Sequence, residues 1–177
     1  EELVLNAVEA GASRIEVFVS AGDSTDGGMV EVRDNGAGIP PDAFAALGEF
    51  GATSKRGACV AGGAVRGGGA LASLRAVAAR LVVESKGRCV FGGAHQGGMA
   101  TWRKEFLNGA VASCGPAVAA AGVGTGVRAA GILDTLPVRR FGAMQKSSAG
   151  STACRRCVER IALLHPSVQF SFLAVGS

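Results

Sequence analysis

The sequence predicts an α+β fold, a two-layer sandwich with helices on one face of a mixed, mostly antiparallel sheet. Three observations predict it. Several segments alternate apolar and polar residues with period two, as in "RIEVFVS" and "VEVRD". Others repeat at helical spacing, as in "EELVLNAVEA", "ALASLRAVAAR" and "STACRRCVERIALLH". The strands come in runs rather than in strict strand-helix-strand alternation, which separates this class from a parallel doubly wound sheet.

In chain order, residues 1–10 read as a helix stopped near Gly11, with Leu3, Val4, Ala7 and Val8 as its apolar stripe. Glu2 and Asn6 are four apart, so they stack on the opposite side, about 5 to 6 Å between Cβ atoms. Ile15, Val17 and Val19 mark one half-buried strand and Val30 and Val32 a second, joined as a hairpin by the turn-rich "AGDSTDGG". "PPDAFAALGEF" has Pro where a first helical turn accepts it and predicts a short helix. From Gly51 to Gly69 glycine and basic residues dissolve both periods, which predicts a loop. Leu71, Leu74, Val77 and Ala78 then restore the helical period, and "LVVES", "RCVFGG" and "MATWRKEF" predict strands of one antiparallel meander. A further strand is expected at "TGVRAAGIL". Ser151 or Thr152 would cap the last helix, Pro166 would stop it, and "VQFSFLAV" follows as a strand.

Composition bounds what such a fold can do. With 48% hydrophobic and 18% charged residues among 177, the chain is long and apolar enough to bury a core, which argues against intrinsic disorder. The net charge of +4 suits an anionic ligand or a nucleic-acid surface without demanding either. No apolar run reaches the roughly 18 to 20 residues that span a bilayer, so no membrane partner is expected. Five cysteines, an odd number without regular spacing, suggest reduced thiols in an intracellular compartment; Cys154 and Cys157 form one C-x-x-C with no second pair, and are expected to be packing residues. The 28 glycines partly reflect compositional bias, so a single G-x-G weighs little by itself. The chain opens inside a helical pattern and reads as a piece of something longer.

One stretch nevertheless concentrates chemistry. In "DNGAGI" a strand delivers Asp34 into a loop where Gly36 and Gly38 would let backbone approach a ligand closely, although a turn uses the same letters. "ELVLNAVEAGA", "DNGAGI", "GATSK", "ALASLRAVA", "GTGV" and "LPVRRF" occur in that order. Together they resemble the N-terminal ATPase of the MutL mismatch-repair family, a branch of the gyrase, Hsp90, histidine-kinase and MutL superfamily. Two further stretches, "LGEFGATSK" and "VERIALLHPSVQFSF", look most like the eukaryotic MutL homologue three.

The resemblance implies a Bergerat-type ATP-binding fold with ATP and Mg²⁺ as cofactors. Glu2 matches the family's general base, which would activate a water for attack on the γ-phosphate; read alone, it is a solvated helix carboxylate. Asn6 matches the Mg²⁺ ligand, a hard oxygen donor. Asp34 matches the adenine reader, whose carboxylate would accept the exocyclic amino hydrogen, with Gly36 and Gly38 beneath base and ribose. Thr125 matches the polar residue on the last pocket strand, although "GTG" is also compatible with a bulge. Thr53, Ser54 and Lys55 match a lid segment over the nucleotide, Lys55 offering a cation to the phosphates. Gly68, Ala70 and Leu71 fall at a helix start, where free backbone N–H groups favour phosphate oxygens.

There are departures. Where the family reads roughly "GFRGEAL" this chain has "VRGGGAL", so Gly69 replaces an acidic residue, Arg66 sits one position early, and the lid is shorter than usual. Arg139 and Arg140 in "PVRRF" either face DNA or cap the next helix. The resemblance implies an ATP-binding domain over 1–135, a connecting segment and the start of a second subdomain over 136–177, and no DNA cleavage within this chain. The function implied is slow Mg-dependent ATP hydrolysis that gates pairing of N-terminal domains in mismatch repair, and in meiotic recombination. The implied partners are another MutL homologue, MutS-type proteins and double-stranded DNA, in the nucleus. The alternative is a degenerate, non-hydrolysing nucleotide-binding scaffold, which the altered "GGG" favours.

Overall fold

The computed structural model describes residues 1–20, 28–49, 69–89, 98–118, 122–132, 134 and 147–175. Three helices, α1 (Glu2–Glu9), α2 (Gly69–Val77) and α3 (Ser147–Leu164), accompany seven strands. The strands are β1 (Arg14–Ser20), β2 (Gly28–Asp34), β3 (Ala78–Arg88), β4 (Met99–Leu107), β5 (Ala110–Pro116), β6 (Gly124–Ile132) and β7 (Gln169–Val175). They form one sheet in the order β5-β4-β3-β6-β2-β1-β7. Every neighbouring pair is antiparallel except β1 and β7, which run parallel. The mixed, mostly antiparallel α+β sheet predicted from the sequence is the observed one.

Period-two alternation decides which face is covered. Val17, Val32, Val127 and Val83 stand opposite one another across β1, β2, β6 and β3, so their side chains share one face. Two buried clusters lie on it. Val4 and Ala7 of α1 and Val158 and Ile161 of α3 pack on Ile15, Val17 and Val32. Phe44, Leu81, Val83, Phe106, Val127 and Ala129 make the second, with Leu71 and Leu74 of α2 against it. Leu3 touches both, which joins α1 to the whole sheet. Ile15, Leu81, Val83, Phe106 and Phe44 are fully buried, each stabilising the fold by about 1.5 to 3 kcal/mol relative to exposure.

Four elements differ from their sequence expectation. The stretch after Pro40 forms a single 3-10 turn, Pro41–Ala43, and then further turns. The carbonyls of Ala45 and Leu47, which a longer helix would use internally, accept instead from the buried Lys104 Nζ at 2.7 and 2.9 Å. The helix expected through Ala78 and beyond ends at Val77, because Ala78 onward is paired to β6 and, from Arg80, to β4 as well. Arg88, expected to open a second strand, is instead the last residue of β3, the strand that carries "LVVES", and residues 90–93 of the expected strand "RCVFGG" lie outside the described residues. α3 starts at Ser147, ahead of the expected cap at Ser151 or Thr152. Gly150 reads as a break in sequence, but one interior glycine costs a helix only about 0.5 to 1 kcal/mol.

β5 was not expected at all; it follows β4 through Asn108 and Gly109, both at positive φ (48° and 79°), the two-residue hairpin turn whose twist matches the strands. Residues 147–175, expected within a connecting segment and a second subdomain, supply a helix and a strand to this same sheet. Of the C-x-x-C, Cys157 packs half-buried on the first cluster, whereas Cys154 is exposed rather than packed. Among the described residues no helix is long and apolar enough to cross a membrane.

Candidate functional site

Three polar side chains interrupt the covered face in one cross-strand row. Asp34 of β2 stands opposite Thr125 of β6, and Thr125 opposite Ser85 of β3. Each continues the inward parity of its strand: Val32 precedes Asp34, Val127 follows Thr125, and Val83 precedes Ser85. Asp34 Oδ1 accepts from the Gly36 N–H at 2.8 Å, and the carboxylate also accepts from the Thr125 N–H. Burial pushes the Asp34 carboxyl above its ordinary pKa of 3.8, and the two backbone hydrogen bonds oppose that shift without cancelling it. Ser85, 2% exposed, accepts from the Ile39 N–H at 2.8 Å and donates to the Gly124 carbonyl at 2.8 Å. Its Oγ also lies 2.9 Å from Thr125 Oγ1.

The loop after Asp34 is held by close backbone packing. Asn35 Oδ1 accepts from the N–H groups of Ser13 and Arg14 at 3.0 and 2.8 Å, tying the loop to the start of β1. The Ala37 N–H donates to the Ala10 carbonyl at 2.9 Å, and a Cβ on Gly36 would approach Ala10 Cβ to 2.9 Å, so the loop lies against the end of α1. Gly38 has φ +73°, and a Cβ there would stand 2.1 Å from the Lys86 carbonyl oxygen. Gly124, at φ +138°, would drive a Cβ to 2.0 Å from the Asp34 carbonyl oxygen. Only glycine fits at either place.

On α1 the structure puts Glu2 and Asn6 on the exposed side, while Val4 and Ala7 are buried. Among the described residues neither the Glu2 nor the Asn6 side chain has a hydrogen-bond or ion-pair partner, whereas the neighbouring Glu1 is bound by Arg160 at 3.0 Å. A Cβ placed on Gly69 would be 3.8 Å from Glu2 Oε2, so this carboxylate faces the start of α2. Ala70 is half-buried there, and Leu71 packs on the second core cluster. The structure thus groups Asp34, Gly36, Gly38 and Thr125 at the strand ends, and Glu2 with the first turn of α2. Thr53, Ser54, Lys55 and Gly68 lie outside the described residues, as do Arg66, Arg139 and Arg140.

Sequence reasoning missed Ser85 and Asn35. Ser85 had a signal in the parity of Leu81, Val83 and Ser85, which places a hydroxyl among inward apolar residues. Asn35 had one in the Asp-Asn-Gly turn composition. The opposite sheet face, which none of the described helices covers, holds a depression of about 650 Å³ lined by Arg33, Arg80, Arg128, Glu16, Glu31 and Glu84, among others, and reaching Asp34, Ser85 and Thr125 at one end. It does not include Glu2, Asn6, Gly36 or Gly38. Its charges are largely paired, as in Arg14 with Glu16 at 3.8 Å, both more than half exposed, an arrangement of little energetic weight. The candidate site is therefore the hydrogen-bonded row with the two helix ends on the covered side, not this depression.

Residues 1–104 match the family described as "Histidine kinase-, DNA gyrase B-, and HSP90-like ATPase". The DNA mismatch repair protein MutL of Sphingopyxis alaskensis is 34% identical over 97% of this chain, and that of Rhizorhabdus wittichii 32% identical over 97%. The chain spans about a quarter of the length of these relatives, 26% and 27%. The Aquifex aeolicus MutL ATPase domain complexed with ADP superposes with a TM-score of 0.65 at 21% identity, over 99% of this chain and 57% of that one. The N-terminal domain of a DNA repair protein gives 0.72 at 24% identity, over 98% and 46%. By sequence match and fold together, this chain belongs to the histidine kinase-, DNA gyrase B- and HSP90-like ATPase family, on its MutL branch.

Proposed function

We propose that this chain binds ATP with Mg²⁺ and, in the intact protein, hydrolyses it slowly to gate pairing of two N-terminal domains during DNA mismatch repair. The observation that carries the reading is the half-buried Asp34, held by two backbone N–H groups and flanked by glycines that admit no side chain. Glu2 and Asn6, whose side chains have no partner among the described residues, share one helix face, with Glu2 beside the start of α2. Asp34 accepts the exocyclic amino hydrogen of adenine; a 6-carbonyl there would meet acceptor with acceptor. The first turn of α2 offers backbone N–H groups and the positive dipole end to phosphate oxygens. Glu2 takes a proton from the attacking water.

Asn6 suits Mg²⁺, because its side-chain oxygen is a hard donor that no other described group occupies. When bound, the ion neutralises charge on the phosphates. Double-stranded DNA, MutS-type proteins and a second MutL homologue are the partners proposed for the intact protein. The nuclear location and meiotic role are proposed only through the likeness of "LGEFGATSK" and "VERIALLHPSVQFSF" to homologue three. Gly69, where the family has an acidic residue, favours a second reading as a nucleotide-gated scaffold without hydrolysis.

Glu2→Ala separates the two. In the intact protein it should lower ATP turnover by about 10²- to 10⁴-fold while ATP still binds. A wild type that turns over no faster than Glu2→Ala would leave the scaffold as the function.

A further inference from the structure

The hydrogen bond between Ser85 and Thr125 has one possible direction, set by the other partners of Ser85. Ser85 has one hydroxyl hydrogen and two acceptor lone pairs. The Gly124 carbonyl 2.8 Å away can only accept, so it takes that hydrogen. The Ile39 N–H at 2.8 Å can only donate, so it uses one lone pair. The 2.9 Å contact between Ser85 Oγ and Thr125 Oγ1 then forms in one sense, with Thr125 donating. Thr125's single hydroxyl hydrogen is thereby committed to a residue that is 2% exposed. What remains on Thr125 Oγ1 is acceptor capacity only. Its neighbour across the strand pair, the Asp34 carboxylate, is acceptor-only as well when ionised.

We propose that Ser85 is a positioning residue for base selection: by holding the Thr125 hydroxyl hydrogen it makes the Asp34–Thr125 corner a pure acceptor surface, which favours a 6-amino purine over a 6-oxo purine. The proposal rests on the ATP-binding reading above and adds a determinant to it. Ser85 is covered by Ile39, Gly124 and Thr125 and acts through Thr125. Without its hydroxyl, Thr125 Oγ1–H turns free and can donate to a 6-carbonyl. The penalty against the 6-oxo base then shrinks although Asp34 is untouched.

The probes are Mg-ATP and Mg-ITP, which differ at the 6-position and the attendant N1 hydrogen, titrated by calorimetry into the intact protein. In Ser85→Ala the ratio of Kd for ITP to Kd for ATP should fall about tenfold from its wild-type value. Ser85→Cys, close in volume and a weak hydrogen-bonding group, should move it the same way and stands in if Ser85→Ala fails to fold. In a Thr125→Val background, where no hydroxyl remains to redirect, Ser85→Ala or Ser85→Cys should leave the ratio unchanged. A general loosening of the pocket would lower both affinities together and leave the ratio within twofold of wild type, which overturns the proposal. So would an undiminished Ser85 effect in the Thr125→Val background. A wild type that binds neither triphosphate refutes the ATP-binding reading and this inference with it, whereas one that binds both with a ratio insensitive to Ser85 refutes the inference alone.

Discussion

Asp34→Asn tests the base-reading corner at its centre. In the structure the carboxylate accepts from two backbone N–H groups, Gly36 at 2.8 Å and Thr125. An amide keeps one acceptor oxygen and puts an NH₂ where the second was. If the oxygen stays on Gly36, the NH₂ is left facing either the Thr125 N–H or the adenine amino group, donor against donor. The lost contact is a hydrogen bond to a charged group, worth about 1.5 to 3 kcal/mol. At about 1.4 kcal/mol per tenfold, ATP affinity should drop roughly 10- to 150-fold. Stability should move much less. Burial already disfavours the ionised carboxylate in the folded protein, so removing that charge offsets part of the weakened bonding to Gly36 and Thr125. Calorimetric titration of Mg-ATP into the intact wild type and variant, with thermal unfolding run beside it, reads both effects. An affinity within twofold of wild type would refute the reasoning, since no other described group in the row is ionisable.

Two further outcomes follow from the same structure. The Asp34 carboxyl is raised above 3.8, so it takes up a proton at higher pH than an ordinary carboxylate and then presents an O–H donor. The preference for ATP over ITP should be full at neutral pH and decline as pH falls toward that raised pKa, and this decline should be absent in Asp34→Asn; a wild-type ratio that stays flat from neutral pH down to 4 would contradict it. Away from the site, Lys104 is 2% exposed and its Nζ serves the carbonyls of Ala45 and Leu47, with the Phe106 ring 5.2 Å away. Lys104→Met keeps the stem but strands two carbonyls, which should destabilise the fold by about 2 to 4 kcal/mol in urea unfolding, and a loss below about 1 kcal/mol would show that water replaces the ammonium there.

What the sequence made legible depended on how far apart the partners lie. β1 and β2 could be read from Ile15, Val17, Val30 and Val32, because period two is local and one face is buried. β5 was not read, since "AVASCGP" has weak strand propensity and exposes most of its side chains; the usable signal was the Asn108-Gly109 pair in front of it. Ala78 to Arg80 carry helix formers but sit where β3 begins, so sheet pairing overrides propensity. Lys104 shows the limit most clearly. It falls at the inward parity of Trp102 and Phe106, which a local reading marks as a conflict, and its resolution lies in carbonyls 57 and 59 residues away. Composition and spacing do not encode where a backbone carbonyl will be.

The candidate site divides along the same line. Asp34 with Gly36 and Gly38 is a contiguous motif, and Glu2 with Asn6 a single helical spacing, so both were visible as local chemistry. That Asp34 meets Thr125, and Thr125 meets Ser85, depends on two strand registers linking residues far apart in the chain. Family resemblance supplied Thr125, because it transfers a register already solved elsewhere. It gave no pointer to Ser85, whose part in the row emerges only when each hydrogen is assigned to a donor. Residues that touch a ligand can be found by resemblance, whereas residues that fix the polarity of those contacts have to be found by accounting for every proton in the folded structure.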